Sequence, residues 1–119
     1  ITGDFSPNHI DEAFMSKTAF GHRIAHGALL VGYMSTASTT ILEKYGGVSE
    51  SDTPVSLGYD RIRFIRPVLI GDTVTVRYVV ESVETEARRT RAKIEVFKQD
   101  DSIVAVAEHI MKWVPSNAD

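Results

Sequence analysis

At 119 residues, 43% hydrophobic and 24% charged, the chain fits one globular domain (residues 1–119) able to bury a core without cross-links. A net charge of −3 argues against a nucleic-acid binder, which carries a basic excess, and the absence of cysteine removes disulfides and thiolate metal sites. No apolar run reaches the roughly 18 residues of a membrane span and no signal peptide is seen, so the expectation is a soluble, cytoplasmic protein.

The chain opens at Ile1, already inside the stretch "TGDFSPNHIDEA". Pro7 restrains the backbone on both its sides, so "DFSPNH" must turn. Asp11 is placed to cap a short helix over "DEAFMSK", with Glu12 in its first turn, where the helix dipole favours acids. Arg23 to Tyr45, "RIAHGALLVGYMSTASTTILEKY", reads as one long helix. It has no charged residue between His26 and Glu43, and a helix that is apolar or small all round is expected to be buried all round.

After a loop from Gly46 to Pro54 the period changes to two. "LGYDRIRFI" sets Ile62 and Phe64 against Arg61 and Arg63. "DTVTVRYVVESV" sets Val74, Val76, Tyr78 and Val80 on one face, and "RTRAKIEVFK" does so with Ala92, Ile94 and Val96. "SIVAVAEHIMKWV" is a fourth strand. The turns between them are "RPVLIGD", "ETEAR" and "KQDDS". A long helix followed by antiparallel strands, with no βαβ rhythm, argues against a Rossmann sheet. One sheet buries such a helix by curling around it, which is an α+β, hot-dog architecture. Its open edges call for cover, so a homodimer is expected.

Asp4 and His9 are candidates for chemistry. A turn can bring a carboxylate and an imidazole to one side, where they hold a water and trade its protons; the same residues are also ordinary turn and surface residues. Gly27 opens the long helix. Its amide and the helix N-terminus can polarise a thioester oxygen, since glycine lets a carbonyl approach; it can equally just relieve packing. His26 reads as a packed, hydrogen-bonded histidine rather than a base. Ser35, taken as buried in the helix, needs a hydrogen-bond partner, ordinarily the carbonyl one turn back. Arg61, Arg63 and Arg66 form either a solvated face or a phosphate attractor. His109 reads as structural. There is no P-loop, GxGxxG, GxSxG or HExxH, and no metal-ligand cluster stands out.

The stretch "TGDFSPNHIDEAFMSKTAFGHRIAHGALL", followed by "RFIRPVLIGDTV", resembles the MaoC-like hydratase family and, within it, the (R)-specific enoyl-CoA hydratases. It departs at Ser6 and Asn8, where the family usually has Asn and an aliphatic residue. The resemblance implies a dimeric hot-dog fold and addition of water to a trans-2-enoyl-CoA, giving a (3R)-hydroxyacyl-CoA in fatty acid metabolism. It implies Asp4 and His9 as the catalytic dyad, the Gly27 amide on the thioester oxygen, and Ser35 in support. No metal or redox cofactor is implied beyond the CoA of the substrate. A strand and a helix upstream of the motif are expected from the family and are not in this sequence. The alternatives are a 3-hydroxyacyl thioester dehydratase on CoA or acyl carrier protein, and a non-catalytic acyl-CoA binding module.

Overall fold

The computed structural model describes residues 1–47 and 49–116. Helices α1 (Pro7–Ile10), α2 (Glu12–Met15) and α3 (Gly27–Lys44) precede strands β1 (Asp52–Phe64), β2 (Val74–Glu84), β3 (Arg89–Lys98) and β4 (Ile103–Pro115). The strands form one antiparallel sheet in the order β1-β4-β3-β2, and α3 lies across β2 and β3. This is the hot-dog arrangement expected from the element order.

The core is the seam between helix and sheet. Leu30 and Met34 of α3 meet Ile94 and Val96 of β3 and Ala105 and Ala107 of β4, all buried. Truncating a side chain such as Ile94 to alanine at this depth costs about 2–5 kcal/mol. The two-residue period of β3 holds as read, with Ala92, Ile94 and Val96 fully buried. Small alanines at positions 92, 105 and 107 let the helix and the sheet approach closely.

Three expectations change, and two inward-facing side chains prove exposed. Residues 23–26 are not helical: Ile24 bridges to Leu69 and the Ala25 amide donates to the Val68 carbonyl at 2.7 Å, so tertiary pairing takes them from the helix. Helix α3 is not buried all round. Leu30, Met34 and Ser38 are inside, whereas Ala28, Leu29, Gly32, Tyr33, Thr36 and Thr40 are exposed, because in this chain one sheet covers one side only. Strand β1 starts at Asp52, within the predicted loop, of which Val48 lies outside the described residues. Pro54 is tolerated there because β1 is an edge strand. Phe64 keeps the face its alternation assigns despite the register shift between Asp60 and Arg63, standing opposite buried Ala105 and over Gly27, yet it is exposed. Val80 is likewise exposed, beside a shift between Val80 and Ser82.

Candidate active site

The short helices present a set of polar groups at the N-terminus of α3. Gly3 takes φ 78°, the left-handed region that favours glycine. The next residue, Asp4, folds its carboxylate back so that Oδ1 accepts the Ser6 amide at 3.2 Å, the local bond that makes Asp a turn residue. Pro7 then stands at the start of α1, where its missing N–H costs nothing. The His9 amide donates to the Ser6 carbonyl at 2.9 Å. Asp11 caps α2 as expected, accepting the Phe14 amide at 2.9 Å.

His9 is half-buried, and its Nδ1 lies 2.8 Å from the Ile24 carbonyl oxygen. A carbonyl only accepts, so Nδ1 carries the hydrogen and the neutral ring keeps its lone pair on Nε2. The non-helical stretch before α3 thus sets the tautomer of His9. That stretch is anchored in turn by the Ile24 amide donating to the Asn8 carbonyl at 2.9 Å.

His26 is the N-cap of α3 and makes no side-chain cap bond. Its Nε2 donates to the Asp4 carbonyl at 3.0 Å and lies 3.9 Å from Asp4 Oδ2. Its ring stacks on that of His9 with centroids 3.8 Å apart and planes 27° apart. Gly27 follows as the first residue of α3, where first-turn amides have no partner within the helix and carry the positive end of its dipole. A Cβ on Gly27 would stand 2.6 Å from the Phe64 ring, so Phe64 closes over this helix start.

Two cavities meet here. One of about 670 Å³ is lined by Ile1, Asp4, His9, His26, Gly27 and Leu29, among others. The other, of about 370 Å³, has Phe20, Ile24, Leu30, Phe64 and Val68 on its walls. His9 and Gly27 line both, so they stand where the two meet. Arg66 lines the smaller cavity and donates to the Ile103 carbonyl at 2.6 Å. Arg61 instead pairs with Glu108 at 3.6 Å, and Arg63 turns back on the Ile62 carbonyl at 2.7 Å. The three arginines therefore do not act together.

Asp4 and His9, read from spacing, are brought together with His26. One ligand-type atom from each lies within 4.8 Å of the others. This grouping was not legible in the sequence, because His26 lies 22 residues beyond Asp4. By donor type the three suit a divalent first-row cation, but Nδ1 of His9 and Nε2 of His26 already serve as hydrogen-bond donors. Ser35 is not where the reading put it. It is exposed on the flank of α3, and the buried hydroxyl is that of Ser38, which donates to the Ser35 carbonyl at 2.8 Å.

The family profile described as "MaoC like domain" matches residues 1–105. A 3-hydroxybutyryl-CoA dehydratase of Methylorubrum extorquens is 41% identical over 91 residues, 76% of this chain and 53% of that protein. An (R)-specific enoyl-CoA hydratase of Aeromonas caviae is 29% identical over 112 residues, 94% of this chain and 78% of that protein. The chain thus spans about half of the former relative and about three quarters of the latter. Among solved structures, an R-hydratase from Pseudomonas aeruginosa in the unliganded form superposes with a TM-score of 0.76 at 30% identity, over 99% of this chain and 73% of that one.

Proposed function

The chain belongs to the MaoC-like domain family, and we propose on that footing that it is a hydro-lyase: an (R)-specific enoyl-CoA hydratase that adds water to trans-2-enoyl-CoA. The observation that carries this reading is the placement of Asp4, His9 and Gly27 around the junction of two cavities. That is an acid–base pair beside an unpaired helix start, which hydration of a conjugated thioester requires.

In the proposed reaction the thioester oxygen lies against the Gly27 amide, which draws electrons from the conjugated double bond. A water is held between the Asp4 carboxylate and His9 Nε2. As its oxygen bonds to C3, one of its protons passes to the pair. The electron pair of the C2–C3 double bond moves toward the thioester, giving an enolate whose oxygen the Gly27 amide holds. The enolate then takes that proton from the pair at C2, the oxygen on C3 keeps the other as its hydroxyl hydrogen, and one water has been added across the bond. The steps reverse without new groups, so dehydration of a 3-hydroxyacyl-CoA runs on the same site, in line with the name of the M. extorquens relative.

We assign substrate CoA as the only cofactor component and no metal to the reaction. Arg66, at the smaller cavity, is placed to meet a phosphate of the CoA. Ser35 lies one turn beyond Gly32, which lines the larger cavity, and its support of the site belongs to this proposal. So do the homodimer, expected from the open sheet edges, and a cytoplasmic location. Among the described residues no helix is long and apolar enough to cross a membrane.

The test is hydration of crotonyl-CoA, followed by loss of the enoyl-thioester absorbance, with chiral analysis of the product. Turnover to the (3R) alcohol, unchanged by a chelator, supports the proposal. A (3S) product overturns the stereochemical assignment. Binding of acyl-CoA without turnover on CoA or carrier-protein substrates overturns the enzyme reading in favour of a binding module.

A further inference from the structure

We infer that His26 is a positioning residue for the proposed reaction: it locks the Asp4 turn and the His9 ring to the helix start that carries Gly27. The inference deepens the hydratase reading and rests on it for its catalytic meaning.

Three separate contacts converge on this one side chain. Its Nε2 donates to the backbone carbonyl of Asp4 at 3.0 Å, which ties down the residue whose carboxylate must face the water. Its ring covers that of His9 at 3.8 Å, so His9 cannot swing about its Nδ1 bond to Ile24 without losing that stack. Its backbone is the N-cap of α3, immediately before Gly27. Each part of the site lies on a different local element: a turn, a one-turn helix and a long helix. Short helices such as α1 have little stability of their own, so without a tie these parts would drift relative to one another.

The cap position adds a second reason. Ser, Thr, Asp or Asn at an N-cap would accept hydrogen bonds from the first-turn amides. His26 spends its side chain on Asp4 instead and makes no cap bond. The Leu29 amide donates to the His26 carbonyl at 3.1 Å, and the Gly27 and Ala28 amides ahead of it are left available to a ligand carbonyl. A residue that serves only to start the helix has no need to reach the carbonyl of Asp4, which lies far back in the sequence.

Two variants of the whole chain separate the contacts. His26→Phe keeps a ring over His9 and removes the donor. His26→Gln keeps a donor at the Nε2 position and removes the ring. Positioning through the bond to Asp4 predicts that His26→Phe lowers kcat by roughly 10–100-fold, the scale of a 1 Å misplacement. KM should stay within about twofold, and His26→Gln should recover most of the rate. Thermal melting of both variants is measured alongside. Unchanged kcat in His26→Phe overturns the inference, as does equal loss in both variants that tracks their melting.

If the wild type turns over no acyl thioester, the hydratase reading fails by itself. The positional claim is then decided by NMR of the Asp4-to-Ser6 amides and the His9 ring nitrogens. Shifts in His26→Phe that are absent in His26→Gln uphold it, and unshifted signals overturn it.

Discussion

His9 and His109 are a matched pair of histidines with opposite surroundings. His109, on β4, is buried and has both ring nitrogens bonded, Nε2 to Ser56 Oγ at 2.7 Å and Nδ1 to Tyr78 Oη at 2.8 Å. Tyr59 stacks on it at 4.4 Å. Burial pushes its pKa below the usual histidine range and pushes the Tyr78 hydroxyl, further opposed by Tyr59, up to about 12. Everything about it holds the ring neutral and fixed. His9 spends one nitrogen on Ile24 and faces two cavities with the rest of its ring. A histidine with both nitrogens satisfied stabilises; one with a nitrogen to spare beside a cavity is free to move protons.

The contrast is broken first at the open site. Asp4→Asn and His9→Ala are each expected to lower kcat/KM by about 10²–10⁴-fold, the range for lost acid–base catalysis. Asp4 is exposed and His9 half-buried, so melting should change little, and a large fall in melting temperature would count against a purely catalytic role. Gly27→Ala comes next. Its methyl meets the Phe64 ring at 2.6 Å, and the ring that closes over the helix start must shift. The expectation is a loss of about 10-fold or more, partly restored by adding Phe64→Ala, as a double-mutant cycle of activity would show.

The closed site should respond in stability alone. His109→Phe removes the partner of two hydroxyls and is expected to cost about 1–3 kcal/mol in denaturant titration, with turnover per folded molecule kept. The cost should depend on pH. The folded state resists the proton that the unfolded chain accepts near its ordinary value of 6.5. The contribution of neutral His109 is therefore complete above that pH and is lost as pH falls below it. The gap between wild type and His109→Phe should narrow on acidification; a gap that widened would reverse the assignment. The smallest effect is expected at Trp113→Phe, which removes the 2.7 Å bond from Nε1 to the Gly47 carbonyl, at about 1 kcal/mol in the same titration.

Periodicity and turn chemistry were legible because they are local. Strand β3 could be read to its ends, and the Asp11 cap to its bond. Phe64 keeps the face its alternation assigns, opposite Ala105, but its exposure could not be read, because the helix covers only part of that face. The burial of α3 was overread for a related reason: small and hydroxyl side chains suit a buried helix, yet also cost little when exposed. Ser35 and Ser38 illustrate this. They are chemically equal in sequence, and one turn of helix puts Ser38 inside and Ser35 outside.

The sequence by itself determined the element order and the inward face of the central strands. Each follows from spacing along a few neighbouring residues. Only the tertiary structure decided that Ile24 orients His9, that His26 ties Asp4 to the start of α3, and that Phe64 closes over Gly27. Those contacts join residues far apart in the chain, and the isolated bridge of Ile24 to Leu69 ties the segment before α3 to the connection between β1 and β2.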